Sequence, residues 1–322
     1  MNLNVSYPPP DLARLSQEEI EWRIGKIRAQ FGPQLLILAH HYQMPEIKQV
    51  ADYIGDSYYL SALVSKLKTP KIYFCGVRFM AETAKILSPD KTVILANPDA
   101  GCPMADMVSL DDLIEFKENN PNHLIVSYVN TNADIKAQSD ICVTSSVALN
   151  IMNTVKDKEI LFLPDRNLGR YIKEKTKNEN VTLWEGFCPI HERAELEDMN
   201  ALKSKQPDAV VLIHPECKWE LVEQADFVGS TTEIMDFVSK SDKSKFIIGT
   251  ELGVLESLQK QHPEKEFFLL YDEFVCKNMK KTTAQDLLNA MQGKGGEVIK
   301  LDEDVMVKAS KSLYEMIKRS SK

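Results

Sequence analysis

Several features that would define a function class are missing from this sequence. No apolar run approaches the roughly 20 residues that a membrane-spanning helix needs, so no membrane association is expected. Basic residues occur only in short runs such as Lys280-Lys281, and the net charge is −8, so nucleic acid is not an expected partner. The segment Met1–Asp11 is polar and carries Pro8, Pro9 and Pro10, without the basic and apolar blocks of a signal peptide. The expected compartment is therefore the cytoplasm, where thiols stay reduced. None of the 6 cysteines forms a Cys-x-x-Cys pair. In a reducing compartment they point to metal binding, catalysis or packing before disulfides. The acidic balance also means that attraction for an anionic substrate must be built locally, because the global field is repulsive.

What is present is ordinary in bulk and ordered in sequence. Hydrophobic residues make up 43% and charged residues 27% of 322 residues, enough for a core in two or three domains. Three apolar runs end in polar clusters at Leu35–His40, His123–Tyr128 and Ala209–His214, with offsets of 88 and then 86 residues. The same offsets relate Asp52, Asp140 and Asp226, and again Ser57, Ser145 and Thr231. They also relate the runs Lys71–Val77, Glu159–Asp165 and Lys245–Glu251, and a further set follows at Thr92–Ala96, Val181–Trp184 and Phe267–Tyr271. Continuous apolar strands alternating with helical segments predict parallel sheets covered on both faces. A period near 87 residues is too long for a solenoid and suits a small αβα domain.

The expected organisation is an N-terminal arm over 1–19, repeat units over 20–105, 106–191 and 192–276, and a helical tail over 277–322. The segment Thr282–Met291 resembles the opening helix of each unit, compared with Ser109–Glu118. In the tail, Met306, Ala309, Leu313 and Met316 have helical spacing, which predicts packing back on the body.

Ligands of open parallel sheets bind beyond the carboxyl ends of the strands. If the units sit around a threefold axis, their strand ends converge on one central cavity. The first-strand set there is His40-His41-Tyr42-Gln43, Tyr128-Val129-Asn130-Thr131 and His214-Pro215-Glu216. These are acids, bases and hydrogen-bond donors at one structural position. Ser57, Ser145 and Thr231 follow apolar stretches as at helix starts, where free N–H groups favour carboxylate or phosphate. A lone hydroxyl there would be read as an N-cap.

Cys102, Cys188 and Cys276 each follow the last strand of a unit, 86 and 88 residues apart. Cys75, in an apolar strand, and Cys142, expected in an apolar helix, have no such counterparts and read as buried small hydrophobes. Cys217 lies nearer the site, with no role assigned by the pattern. Three thiolates from separate strand ends suit zinc or a [4Fe–4S] cluster. Zinc usually takes closely paired ligands and, in structural sites, a fourth protein ligand, which favours the cluster. Spacing alone leaves both open.

The residues also carry a resemblance. His40–Gln43, Gly55–Ser57, Phe79–Ala84, Ala100–Asp106, Tyr128–Thr131, Phe162–Asp165, Gly186–Pro189, His214–Glu216 and Met279–Lys281 resemble, in order, the motifs of the quinolinate synthase family. Two positions depart from that pattern: His41 where the family often has Asn, and Lys277 where the third cysteine is often followed by Pro. The resemblance implies an α/β fold of three homologous αβα domains around a pseudo-threefold axis, with the active site at the centre. It implies condensation of iminoaspartate with dihydroxyacetone phosphate to quinolinate, with loss of phosphate and two waters, in de novo NAD biosynthesis. An aspartate oxidase or dehydrogenase is then the implied partner that supplies iminoaspartate. The implied cofactor is a [4Fe–4S] cluster on Cys102, Cys188 and Cys276, with one iron left open. Tyr42 and His40 are implied in proton transfer, and Glu216 with His214 in a second acid/base element. Tyr128 and Asn130 are implied to contact substrate, and Ser57, Ser145 and Thr231 to hold its anionic oxygens.

Overall fold

The computed structural model describes residues 15–320. Most of the expected N-terminal arm, up to Arg14, lies outside the described residues. The remainder of that arm enters the helix Gln17–Phe31, capped by the Ser16 side chain on the Glu19 amide.

Twelve parallel strands build three sheets. The first holds β1 (Leu35–His40), β2 (Tyr53–Gly55), β3 (Lys71–Cys75) and β4 (Thr92–Leu95). The second holds β5 (Leu124–Tyr128), β6 (Ile141–Val143), β7 (Ile160–Leu163) and β8 (Val181–Leu183). The third holds β9 (Val210–Ile213), β10 (Phe227–Val228), β11 (Lys245–Gly249) and β12 (Glu266–Leu269). The orders β2-β1-β3-β4, β6-β5-β7-β8 and β10-β9-β11-β12 are the same topology three times. The fold is α/β, with three αβα units.

The repeated aspartates explain how each edge strand is held in register. The Asp52 amide donates to the Ile37 carbonyl, while the Ile37 amide donates back to Asp52 Oδ2, both at 2.8 Å. Asp140 makes the same pair with Ile125, and Asp226 with Val211. A carboxylate at this place satisfies a strand amide that the short edge strand does not reach.

Alternation along the strands divides the core. Leu38, Ile72 and Phe74 point one way and join Val126, Phe162, Val211 and Ile247 in one shared central core. Their outward neighbours form three separate cores, with Ile37 and Tyr73 in the first, Ile125 and Leu161 in the second, and Leu212 and Phe246 in the third. A period of two therefore assigns one face of every sheet to a common centre.

Helix contacts close the units into a ring. Lys48 in the helix Pro45–Val50 donates to the Gly253 carbonyl and to Ser257 in the helix Leu252–Gln261, joining unit one to unit three. Lys136, one repeat later, lies 5.5 Å above the Phe79 ring of the helix Arg78–Leu87, joining unit two to unit one. Asn167 in the helix Arg166–Thr176 donates to the Glu216 carbonyl at 3.0 Å, joining unit two to unit three.

The tail packs back on the body. The helix Ala284–Met291 covers the outer core of the first sheet, and the helix Glu303–Ser320 buries Ala309, Leu313 and Met316 in the central core, with Met306 packed at its margin. It also contains a strand that the helical reading lacks: β13 (Glu297–Val298) pairs antiparallel with β4. The turn into it needs Gly296, whose φ is +71° and whose Cβ would sit 2.7 Å from that of Ala290. Cys142 is a second correction, since it lies in β6 and not in a helix. Its run is three apolar residues long, too short for a helical turn pattern to form. Burial is as expected for Cys142 and Cys75.

Asp140→Ala is expected to lower stability by about 1–3 kcal/mol by leaving the buried Ile125 amide unpartnered. Urea unfolding measures this, and an unchanged midpoint would show that the repeated aspartates do not hold the edge strands.

Candidate active site

The strand ends of all three units line one cavity of about 290 Å³. His40, Tyr42, Tyr128, Asn130, His214 and Glu216 face it from the first-strand ends. Ser57, Ser145 and Thr231 line it from the next turns, and Cys102, Cys188 and Cys276 from the loops after the last strands.

The two histidines are set by the same local geometry. The Tyr42 amide donates to His40 Nδ1 at 3.1 Å, and the Glu216 amide to His214 Nδ1 at 3.3 Å. A ring nitrogen that accepts leaves the proton on Nε2 in the neutral ring. Burial drives His40 well below the usual histidine range, and His214 down to about 4. Both rings thus offer the cavity an Nε2–H donor without a charge, and neither has another partner there among the described residues. Asn130 Oδ1 is buried with no hydrogen-bond partner, so a ligand can engage it at no cost to the protein.

Ser57 and Thr231 are the first residues of the helices Ser57–Lys66 and Thr231–Lys240. The caps themselves are their neighbours Asp56 and Ser230, which bond the Tyr59 and Glu233 amides. Ser145 differs from the expectation, since it lies in a turn and the helix Ala148–Asn153 begins three residues later. The hydroxyls of Ser57 and Ser145 have no protein partner among the described residues.

Each cysteine carbonyl opens a short 3-10 turn, accepting from the Ala105, Glu192 and Lys280 amides respectively. Two of the three cysteine amides are held by buried carboxylates one repeat apart. The Cys188 amide donates to Asp165 and the Cys276 amide to Glu251, each at 3.1 Å. Glu251 is also paired with Lys280 at 3.1 Å. In the first unit the equivalent position is Val77, so the Cys102 loop has no such anchor. All three thiols are free, and burial pushes Cys102 up to about 12, Cys276 up to about 11 and Cys188 well above the ordinary value. Half-buried thiols of this kind stay protonated until a bound cation displaces their protons. Three convergent soft donors with no counter-charge of their own fit a metal centre.

His191 was not among the expected site residues. Its Nδ1 lies 2.8 Å from Glu216 Oε2 and 3.2 Å from Cys188 Sγ, and its Nε2 lies 3.0 Å from Thr250 Oγ1. Glu216 accepts a further bond at Oε1 from the Tyr128 hydroxyl at 2.7 Å. Burial opposes ionisation of Glu216, but the His214 and His191 rings and the Tyr128 hydroxyl outweigh it, so the carboxyl is held below the usual range. Cys188, His191 and Glu216 together form a group able to hold a metal ion. The sequence signal existed, because His191 follows Cys188 at a ligand-like spacing of three. Tyr42 goes the other way, since burial pushes its phenol well above 10 despite hydroxyl contacts with Thr231 and Thr250. Cys217 is fully buried behind the site, with its thiol on the Gly249 carbonyl.

A family model described as quinolinate synthetase A protein matches residues 23–318. A quinolinate synthase of Clostridium perfringens is 50% identical over 300 residues, covering 93% of this chain and 99% of its own length. The chain belongs to the quinolinate synthase family. A quinolinate synthase of Caldicellulosiruptor bescii is 47% identical over 282 residues, 88% of this chain and 93% of its own. One of Clostridioides difficile is 46% identical over 301 residues, 94% and 98% respectively. Membership in the quinolinate synthase family agrees with the threefold sheet architecture. No helix among the described residues is long and apolar enough to cross a membrane.

Replacing Asp165 with Ala should free the Cys188 amide while leaving Cys102 untouched. Hydrogen exchange at residues 186–190 is then expected to quicken by about tenfold or more, the equivalent of a lost bond worth about 1–3 kcal/mol. Unaltered exchange there would rule out Asp165 as the anchor of that loop.

Proposed function

We propose that this chain is a quinolinate synthase, condensing iminoaspartate with dihydroxyacetone phosphate to quinolinate with loss of phosphate and two waters. The observation that carries this reading is the meeting, in one cavity, of three equivalent cysteine loops with a buried network of acids, bases and hydroxyls. Cys102, Cys188 and Cys276 would hold a [4Fe–4S] cluster, leaving one iron without a protein ligand. When bound, the cluster supplies a Lewis acid that helps a poor hydroxyl leaving group depart as water.

The chain's own groups account for the remaining demands. Ser57, Ser145 and Thr231 offer hydroxyls to carboxylate and phosphate oxygens, and the helices that Ser57 and Thr231 open add a positive dipole end. Arg193 and Lys277 line the cavity and supply local positive charge on a chain of net charge −8. Uncharged His40 and His214 donate to substrate oxygens, and Tyr128 and Asn130 fix its orientation. Tyr42 and Glu216 move protons, Tyr42 beside the carbon that is deprotonated and Glu216 at the hydroxyl that leaves. Iminoaspartate hydrolyses readily, so an aspartate oxidase or dehydrogenase is the partner that must deliver it. Reduced thiols accord with a cytoplasmic setting.

A single metal ion on Cys188, His191 and Glu216 is the competing reading that the donor set allows. Against it, His191 and Glu216 are bonded to each other at 2.8 Å. Anaerobic purification with iron, sulfide and zinc counting separates the two, and quinolinate formation from the two substrates tests the activity.

Cys102→Ala is expected to lose cluster and product together; full iron and sulfide content in that variant would remove Cys102 from the ligand set. Tyr42→Phe should keep iron and sulfide and lose about 10²-fold or more in turnover, the scale of a missing acid–base group. Near-normal turnover would exclude Tyr42 from the chemistry.

A further inference from the structure

The turns that follow the first strand of each unit are held in two different ways. Lys48 and Lys136 are repeat counterparts, and Val222 takes their place in unit three. Lys48 Nζ reaches the His41 carbonyl at 3.4 Å, and Lys136 Nζ donates to the Thr131 carbonyl. In units one and two, a lysine therefore bonds the backbone of the turn that presents that unit's site residues. Unit three has Pro215 where the others have His41 and Val129. A proline ring fixes φ near about −65°, so this turn is stiffened from within. Val222 is buried, and its side chain offers no donor.

Lys136 shows the clamp in its most costly form. Among the described residues it is the one lysine or arginine that is buried, at 0% exposure. Its ammonium bonds the Thr131 oxygen and lies 5.5 Å above the Phe79 ring of unit one. Burial lowers its pKa below the ordinary lysine value, against the pull of acidic neighbours that include Glu82. A charge so placed is unfavourable unless it is paired and hydrogen-bonded. Glu82, from the same helix as Phe79, accepts the Ala133 amide at 3.0 Å. The chain after β5 is thus held at Thr131 by the ammonium and at Ala133 by the carboxylate.

The two site residues of this turn depend on it unequally. The Tyr128 hydroxyl is tied to Glu216 at 2.7 Å, which fixes the ring from its far end. Asn130 Oδ1 has no such tie, so the backbone beside it decides where it stands in the cavity. The nearest side-chain hold on that backbone is one residue away, at the Thr131 carbonyl.

We propose that Lys136 is a positioning residue that sets Asn130 against the substrate by holding the Thr131 carbonyl. Lys136 itself does not line the cavity. The inference rests on the synthase reading, in which Asn130 contacts substrate, and adds a residue outside the cavity on which that contact depends. Pro215 does the corresponding work in unit three by covalent means.

The test is a double-substitution cycle on binding. Lys136→Met keeps the length of the stem and removes the ammonium. Cluster-loaded parent, Lys136→Met, Asn130→Ala and the double variant are titrated anaerobically with quinolinate, with iron and sulfide counted in each. Lys136→Met is expected to retain iron and sulfide and to weaken quinolinate binding about tenfold, the scale of one lost hydrogen bond to a charged group. In the Asn130→Ala background the same change should cost less than about twofold, because the side chain that it positions is gone. Equal losses in both backgrounds would show a general structural role and overturn the proposal. A Lys136→Met affinity within about twofold of the parent overturns it too, and so does loss of iron and sulfide, which would tie Lys136 to the cysteine loops instead. If Lys136→Met does not fold, Lys136→Met with Glu82→Gln is read against the same outcomes. That pair removes both charges together and keeps an acceptor for the Ala133 amide. A parent protein that holds the cluster but neither binds nor makes quinolinate refutes the synthase reading itself, which separates that failure from failure of the clamp.

Discussion

A parallel sheet must cover both of its faces, and this chain meets that demand three times with one shared interior. The inward residues of every sheet, Phe74, Phe162 and Ile247 among them, belong to a single core, while each outward face is covered separately. Once the three inner faces share a core, the sheets cannot reorient independently, and the carboxyl ends of their first strands are brought toward one another. The cavity is therefore a product of packing before it is a product of chemistry. Close-packed interiors deform little, which is why short loops after the strands can present side chains with useful precision.

Within that frame, Glu216 is the group with the most at stake. A carboxylate at 4% exposure is costly unless its lone pairs are filled, and here Tyr128 and His191 fill them from two directions. The same contacts bind unit two to unit three, so the polar heart of the site also stiffens a unit boundary. The cysteine loops are less even. Asp165 and Glu251 anchor two of them, and Val77 leaves the first without a polar clamp, so the pseudo-symmetry of the backbone is broken in the shell behind the thiols.

Much of this was legible in the sequence because repetition places equivalent residues in equivalent environments. The offsets that relate Asp52, Asp140 and Asp226 mark a single backbone-clamping device, and those that relate the cysteines mark a single kind of loop. What repetition cannot show is contact across units. His191 and Thr250 occupy positions held by Met279 and Pro164 in other units, so no threefold signal singles them out. Cys142 misled because a three-residue apolar run carries too little periodicity to tell strand from helix. Ser145 misled because its hydroxyl register is kept while the following helix starts later. β13 escaped notice because two residues on a sheet edge leave almost no pattern.

That small strand bears on how the protein is made. β13 completes the edge of β4, and the terminal helix fills the central core, yet both are synthesised after the second and third units. At about 5–20 residues per second, the β4 edge emerges on the order of ten seconds or more before its partner. During that interval the edge of a largely apolar strand is open to pairing with other chains. Of the three units, the one synthesised earliest is thus the last to be finished, and its nascent form is where a chaperone has most to protect.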